Sequence, residues 1–203
     1  MSYRAWVYIW GVLTAGTLLS CCAYFGPAAS TQQWLTFAAL TLFATLSQFF
    51  EAEAPGRQSY YPHMIFFFAG ALLLQPFLFI LLIIIPHSIE WAKARLRNSN
   101  HLRAWYIQPF NMSVHIIAGL TAYWLHLVLG ATATYDSLIS VIGTTIAALA
   151  YVILNHVMIG LALILARGVS WRESGVLEFE NLLTDFIMIY LGSIVAVLWA
   201  INP

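Results

Sequence analysis

Long apolar runs broken by short polar or turn-forming segments set the pattern of this chain. The first run is Ala5 to Phe25, closed by Gly26-Pro27, and the second is Trp34 to Phe50. The second stops at a charged turn, Glu51 to Arg57, in which Pro55 and Gly56 break any helix. Met64 to Pro86 is the most apolar run and is interrupted by Gln75-Pro76. Trp105 to Leu129, Ser137 to Ala166 and Leu182 to Ile201 complete the series, with Arg167-Gly168 as a helix stop after the fifth. Between the last two, Ser170-x-x-Glu173 has the spacing of a capping box and predicts a short interfacial helix.

Each run is long enough to be read as a membrane helix, and Met64–Pro86 leaves two topologies open. As one helix at about 1.5 Å per residue it is roughly 35 Å long, enough for a bilayer core of about 30 Å. Lys93, Arg95, Arg97 and Arg103 form a basic cluster after it. A single crossing with that cluster inside leaves Arg4 and Arg57 outside, so six of the eight cations obey the positive-inside rule. A helical hairpin, Tyr60–Leu74 followed by Pro76–Arg95, puts all eight on the cytoplasmic side. It also gives Pro76 the first turn of a new helix, where proline fits best. The hairpin is the favoured reading, and both topologies put the last residue on the outer side.

Composition supports a membrane protein. The chain is 62% apolar and 8% charged, with a mean hydropathy of +0.83, far from the roughly one-quarter charged content of soluble domains. Net charge is zero, without a basic or acidic tail, which excludes a nucleic-acid partner and a solvated interaction arm. Cys21 and Cys22 are adjacent and cannot form a disulfide framework, so they read as small helix residues. The expected fold class is all-α: one polytopic transmembrane helix bundle over residues 1–203, of six spans, or seven with the hairpin, and no soluble domain. The bacterial inner membrane is the expected location, with Lys93–Arg103 cytoplasmic.

Polar residues inside apolar spans are costly and are therefore the candidates for function. Asn111 and His115 lie four apart on one helical face, and His126 follows eleven residues later, close to that face. Asn155 and His156 interrupt the fifth run, and Asp185 sits one turn into the last helix, near Glu178 and Glu180. Asn111, His115, Asn155, His156 and Asp185 make up the candidate ligand-binding set. Interhelical packing is the competing role for each Asn and His; for the acidic residues it is attraction to a positive helix N-terminus. His115, His126 and His156 are also candidate ligands for a haem or chlorin. Sequence motifs for metal ligation (HExxH, CxxC), for a serine nucleophile (GxSxG) and for a phosphate loop are absent, so neither an enzyme nor a metal site is expected.

The order of features resembles the multi-helix membrane sensor domain that precedes bacterial HD-GYP phosphodiesterase and GGDEF cyclase modules. The resemblance rests on the charged turn, the proline-centred apolar hairpin, the basic loop and Pro109-Phe110-Asn111. It continues through Leu154-Asn155, Ala166-Arg167-Gly168, Arg172-Glu173, Tyr190-Leu191-Gly192 and Leu198-Trp199. It implies a sensory or ligand-binding input domain that meets a fused or partner output module, although the chain ends at Pro203 and carries no HD, GYP or GGDEF motif. Two rival functions keep their place. One is a structural or cofactor-carrying subunit of a photosynthetic or respiratory membrane complex, and the other is the substrate-capture subunit of a small-molecule transporter. The bilayer and other membrane subunits are the expected partners in all three cases.

Overall fold

The computed structural model describes residues 1–48, 52–53, 59–60, 62–96, 104–133 and 135–202. Among these the regular structure is helical except for one antiparallel pairing of two-residue strands, β1 (Ala52–Glu53) with β2 (Ser59–Tyr60). The helices are α1 (Tyr3–Tyr24), α2 (Thr31–Ser47), α3 (His63–Leu73), α4 (Pro76–Leu96), α5 (Ile107–Val128), α6 (Leu138–Arg167), α7 (Trp171–Ser174) and α8 (Phe179–Ile201). Local chemistry fixes several of their ends. Ser2, Ser30 and Ser137 accept a hydrogen bond from the backbone N–H three residues on, so α1, α2 and α6 each begin on a serine cap. Gly168 ends α6 in the left-handed conformation, at φ 71°. The Ser170–Glu173 capping box forms around α7 as its spacing predicts, and hydrogen bonds from the Ser170 backbone and hydroxyl hold the Glu173 carboxyl below its usual range.

The apolar run Met64–Pro86 does not form one helix. Leu74 is extended, α4 starts on Pro76, and the rings of His63 and His87 lie 5.5 Å apart between centroids. Twenty-four residues of straight helix would separate those rings by roughly 36 Å, so the chain reverses at Leu74-Gln75. Pro86 does not end the second leg: α4 runs through it to Leu96, at the cost of the hydrogen bond its missing N–H would have made.

The expected count of six or seven spans is not supported by the lengths and hydropathy of the helices. Among the described residues four helices, α1, α4, α6 and α8, are long and apolar enough to cross a membrane, while α3 has 11 residues. At about 1.5 Å per residue α3 covers roughly half of a bilayer core.

Which residues face outward confirms the solvent for which the bundle is built. Leu183, Ile187, Leu191, Ile194, Leu198 and Ile201 run along α8 at spacings of three and four and are all exposed. Ile139, Ile142, Ile146, Leu149 and Ile153 do the same on α6. A helix at an aqueous surface turns such a stripe inward. Here the stripe faces outward, and the buried positions include Gln108, His115, Thr144, Asn155 and Ser193 beside the apolar core.

Successive helices run in opposite directions. At one end Ser2 Oγ donates to the Leu165 carbonyl at 2.8 Å, Trp6 packs on Tyr106 at 5.1 Å, and Gln108 donates to Glu90 at 2.7 Å. At the other end Tyr24 meets Phe77 at 5.6 Å, and Trp199 Nε1 donates to Thr36 Oγ1 at 2.8 Å. Arg4, Lys93, Arg95, Arg167 and Arg172 therefore share one end of the bundle. Arg57, Arg97 and Arg103 lie outside the described residues.

Small residues allow the closest helix contacts. A Cβ on Gly192 of α8 would collide with the Ile65 carbonyl oxygen of α3 and stand 3.1 Å from the Phe68 Cβ. Because the first obstacle is backbone, a larger side chain can be admitted only by separating the two helices. Gly192→Ala is expected to destabilise the protein by about 1–3 kcal/mol, measured as a lower melting temperature of the purified chain in detergent.

Candidate functional site

The hairpin places its two flanking histidines together and presses them against α5. His63 opens α3, His87 lies in α4 directly after Pro86, and His115 lies two turns into α5. All three are buried, and one ligand atom from each lies within 4.8 Å of the others. His87 and His115 are 5.4 Å apart between ring centroids and His63 and His115 6.0 Å, with interplanar angles of 47° and 81°. The rings thus meet as three converging blades. Phe67, one turn along α3 from His63, stacks on His87 at 5.4 Å and walls one side.

The hydrogen bonds around the layer assign its protons in part. His87 Nδ1 lies 2.9 Å from the Ile83 carbonyl, which can only accept, so Nδ1 carries the hydrogen and Nε2 keeps a lone pair. His115 Nδ1 is 2.9 Å from the hydroxyl of Tyr151, a fully buried side chain of α6. Gln108 Nε2 donates to the His87 carbonyl at 3.1 Å and to Glu90 Oε2 at 2.7 Å, tying α5 to α4 just beyond the rings. Four helices thus contribute to one polar layer inside an otherwise apolar interior.

The structure distributes the sequence candidates differently from the stripe expected on α5. His115 is in the layer. Asn111 is half-buried and reaches it only through Gln108, whose Oε1 is 3.5 Å from Asn111 Nδ2. His126 lies elsewhere, with Nδ1 at 3.2 Å from Thr144 Oγ1. Asn155 is buried one turn beyond Tyr151 on α6, and among the described residues no donor reaches its Oδ1.

His156 and Asp185 form a separate pair. Nε2 of His156 is 2.8 Å from Asp185 Oδ2, and Nδ1 faces the Val176 carbonyl, so a protonated ring satisfies both acceptors. Asp185 thus binds α8 to α6; because α8 begins at Phe179, Asp185 lies beyond its first turn, and the expected attraction to the helix N-terminus falls to Glu180 instead. Of the candidate haem or chlorin ligands, His126 and His156 already hold partners, and the His115 ring is packed by His63, His87, Phe67 and Tyr151 within 6.1 Å.

Sequence reasoning missed His63, His87, Gln108 and Tyr151. The signal for the first two was present: each stands twelve residues from Gln75, one before it and one after, so a hairpin closing there sets them face to face. Compared with protein-family models, with curated proteins and with solved structures, the chain matches none.

The His156–Asp185 pair yields a stability test. The two side chains are 8% and 19% exposed, so removing the imidazole leaves a carboxylate with little water to replace it. Partial exposure puts the loss below that of a fully buried pair. His156→Ala is expected to cost about 1–3 kcal/mol in a melting experiment, and Asp185→Asn less, because the imidazole can then release its proton and bond the amide as a neutral ring.

Proposed function

We propose that this chain is an integral membrane sensory or ligand-binding domain whose ligand site is the polar layer of His63, His87, His115, Gln108 and Tyr151. The observation that carries the reading is the burial of three histidines together at the junction of α3, α4 and α5, with Tyr151 of α6 against them. Ionisable side chains in such an interior are expensive, and a cluster of them is the default position for function. Asn111 and Asn155 border the layer as secondary contacts.

A ligand here acts by differential affinity for two helix arrangements. The α3–α4 hairpin is the natural moving part, since a ligand held by His63, His87 and His115 sets the distance between both its legs and α5. The cation-rich end of the bundle faces the cytoplasm in this proposal, following the positive-inside rule. The output module is fused to the chain or docks on it.

Two experiments test this. With the chain joined to a diguanylate cyclase reporter in cells, Asn111→Leu should abolish the response while membrane accumulation stays unchanged; a response that survives removes Asn111 from the site. For orientation, single cysteines replacing Arg4 and Arg172, in a background with Cys21 and Cys22 changed to serine, should both be labelled only from the cytoplasmic side. A cysteine replacing Tyr135 should be labelled from the opposite side. Labelling of Arg4 and Arg172 positions from different sides would contradict the bundle itself.

A further inference from the structure

We propose that His63, His87 and His115 bind a single late first-row transition-metal ion, Zn2+ or copper, as a three-histidine tripod with one open coordination position. This rests on reading the layer as the ligand site of the domain and names the class of ligand.

The donors select the metal. Three imidazole nitrogens and no oxygen ligand suit zinc and copper and are wrong for Mg2+ or Ca2+, which require six or more oxygens or a retained shell of water. Nitrogen–metal bonds of about 2.0–2.1 Å place tetrahedral nitrogens roughly 3.4 Å apart. The ligand atoms already lie within 4.8 Å of one another, so side-chain rotation has a short distance to close on loading.

The surroundings are those of a ligating set. A metal-bound histidine usually donates its other ring N–H to a carbonyl or another acceptor, which fixes the tautomer and orients the lone pair. His87 does this through Nδ1 to the Ile83 carbonyl, and His115 Nδ1 is held by the Tyr151 hydroxyl. Burial has a further consequence. Three neutral rings leave the ion's charge uncompensated in a medium of low dielectric, so an anion nearby is required. Glu90 lies one turn beyond His87 on α4, and its carboxylate is joined by Gln108 to the His87 carbonyl. Tyr151 is therefore a positioning residue acting through His115, and Glu90 is the nearby counter-charge, tied to the layer by Gln108.

The test uses the full chain, purified in detergent and stripped with a chelator. It is loaded with Zn2+ in one arm and with Cu+ under reducing conditions in the other. One ion per chain should remain after desalting in at least one arm, by elemental mass spectrometry, and that arm identifies the metal. X-ray absorption at the metal edge of the unaltered protein should show three imidazole nitrogens at about 2.0 Å. This measurement does not depend on any variant folding. His63→Ala, His87→Ala and His115→Ala should each lose the ion, His126→Ala should keep it, and Tyr151→Phe should bind about 10-fold more weakly. No retention by the folded protein in either arm, an edge spectrum without imidazole, or full retention by the variant lacking all three rings would each overturn the proposal. The sensory reading fails separately: metal retained at these rings in a chain whose reporter response is unaltered by His87→Ala upholds the site and removes the sensor. An absent metal with an intact response does the reverse.

Discussion

Solvation is the constraint from which the rest of this structure follows. A chain with 62% apolar residues cannot bury them all, and this one turns its leucines and isoleucines outward along α6 and α8. The interior keeps an apolar core, but it also encloses polar residues that such surroundings tolerate badly. Lipid offers no hydrogen bonds, so each polar group either finds a partner within the bundle or stays unsatisfied. Trp199 on Thr36, Gln108 on Glu90, and His156 between Asp185 and Val176 are partners of this kind, and each joins one helix to another element. In a water-soluble protein such contacts are marginal additions to an apolar core. Here they specify which helix faces which, because dispersion forces discriminate poorly between one apolar face and another.

Close helix approach and polar pairing work together around α3. The glycine at position 192 lets α8 press onto α3, and the reversal at Leu74-Gln75 lays α4 along α3. His63 consequently stands at the end of a short helix held from two directions. The three-histidine layer is thus a product of tertiary packing: its members come from three helices, and the Tyr151 that holds one of them comes from a fourth.

The helices were legible because the length of an apolar run is a one-dimensional property. The expected runs Ala5–Phe25, Trp105–Leu129 and Ser137–Ala166 fall within two residues of α1, α5 and α6 at each end. Cation placement favoured the hairpin for a reason the structure shares, since the described lysines and arginines gather at one end. The number of crossings was not legible: α3 ends after 11 residues and α2 after 17, α5 carries Gln108, Asn111, His115 and His126 in its 22 residues, and a hydropathy pattern does not show where a helix stops inside an apolar run. The site was read only in part. His115 was picked out because it interrupts an apolar span. His63 and His87 border the run on either side and so looked like its polar ends. Tyr151 looked like one more aromatic among many. Asn155 and His156 are adjacent in sequence, yet His156 is spent on α8 while Asn155 remains inside, as the 100° between neighbouring helical residues requires.

The symmetry of the hairpin about Gln75 also bears on how this protein can change over evolutionary time. One extra residue in either leg would advance every position beyond it by about 1.5 Å and turn it by about 100°, carrying His63 or His87 out of phase with its counterpart. Insertions in the loops would leave that phase untouched. The two legs are therefore the part of the chain in which substitutions can accumulate but length cannot drift: a fixed-length caliper whose jaws are the two histidines.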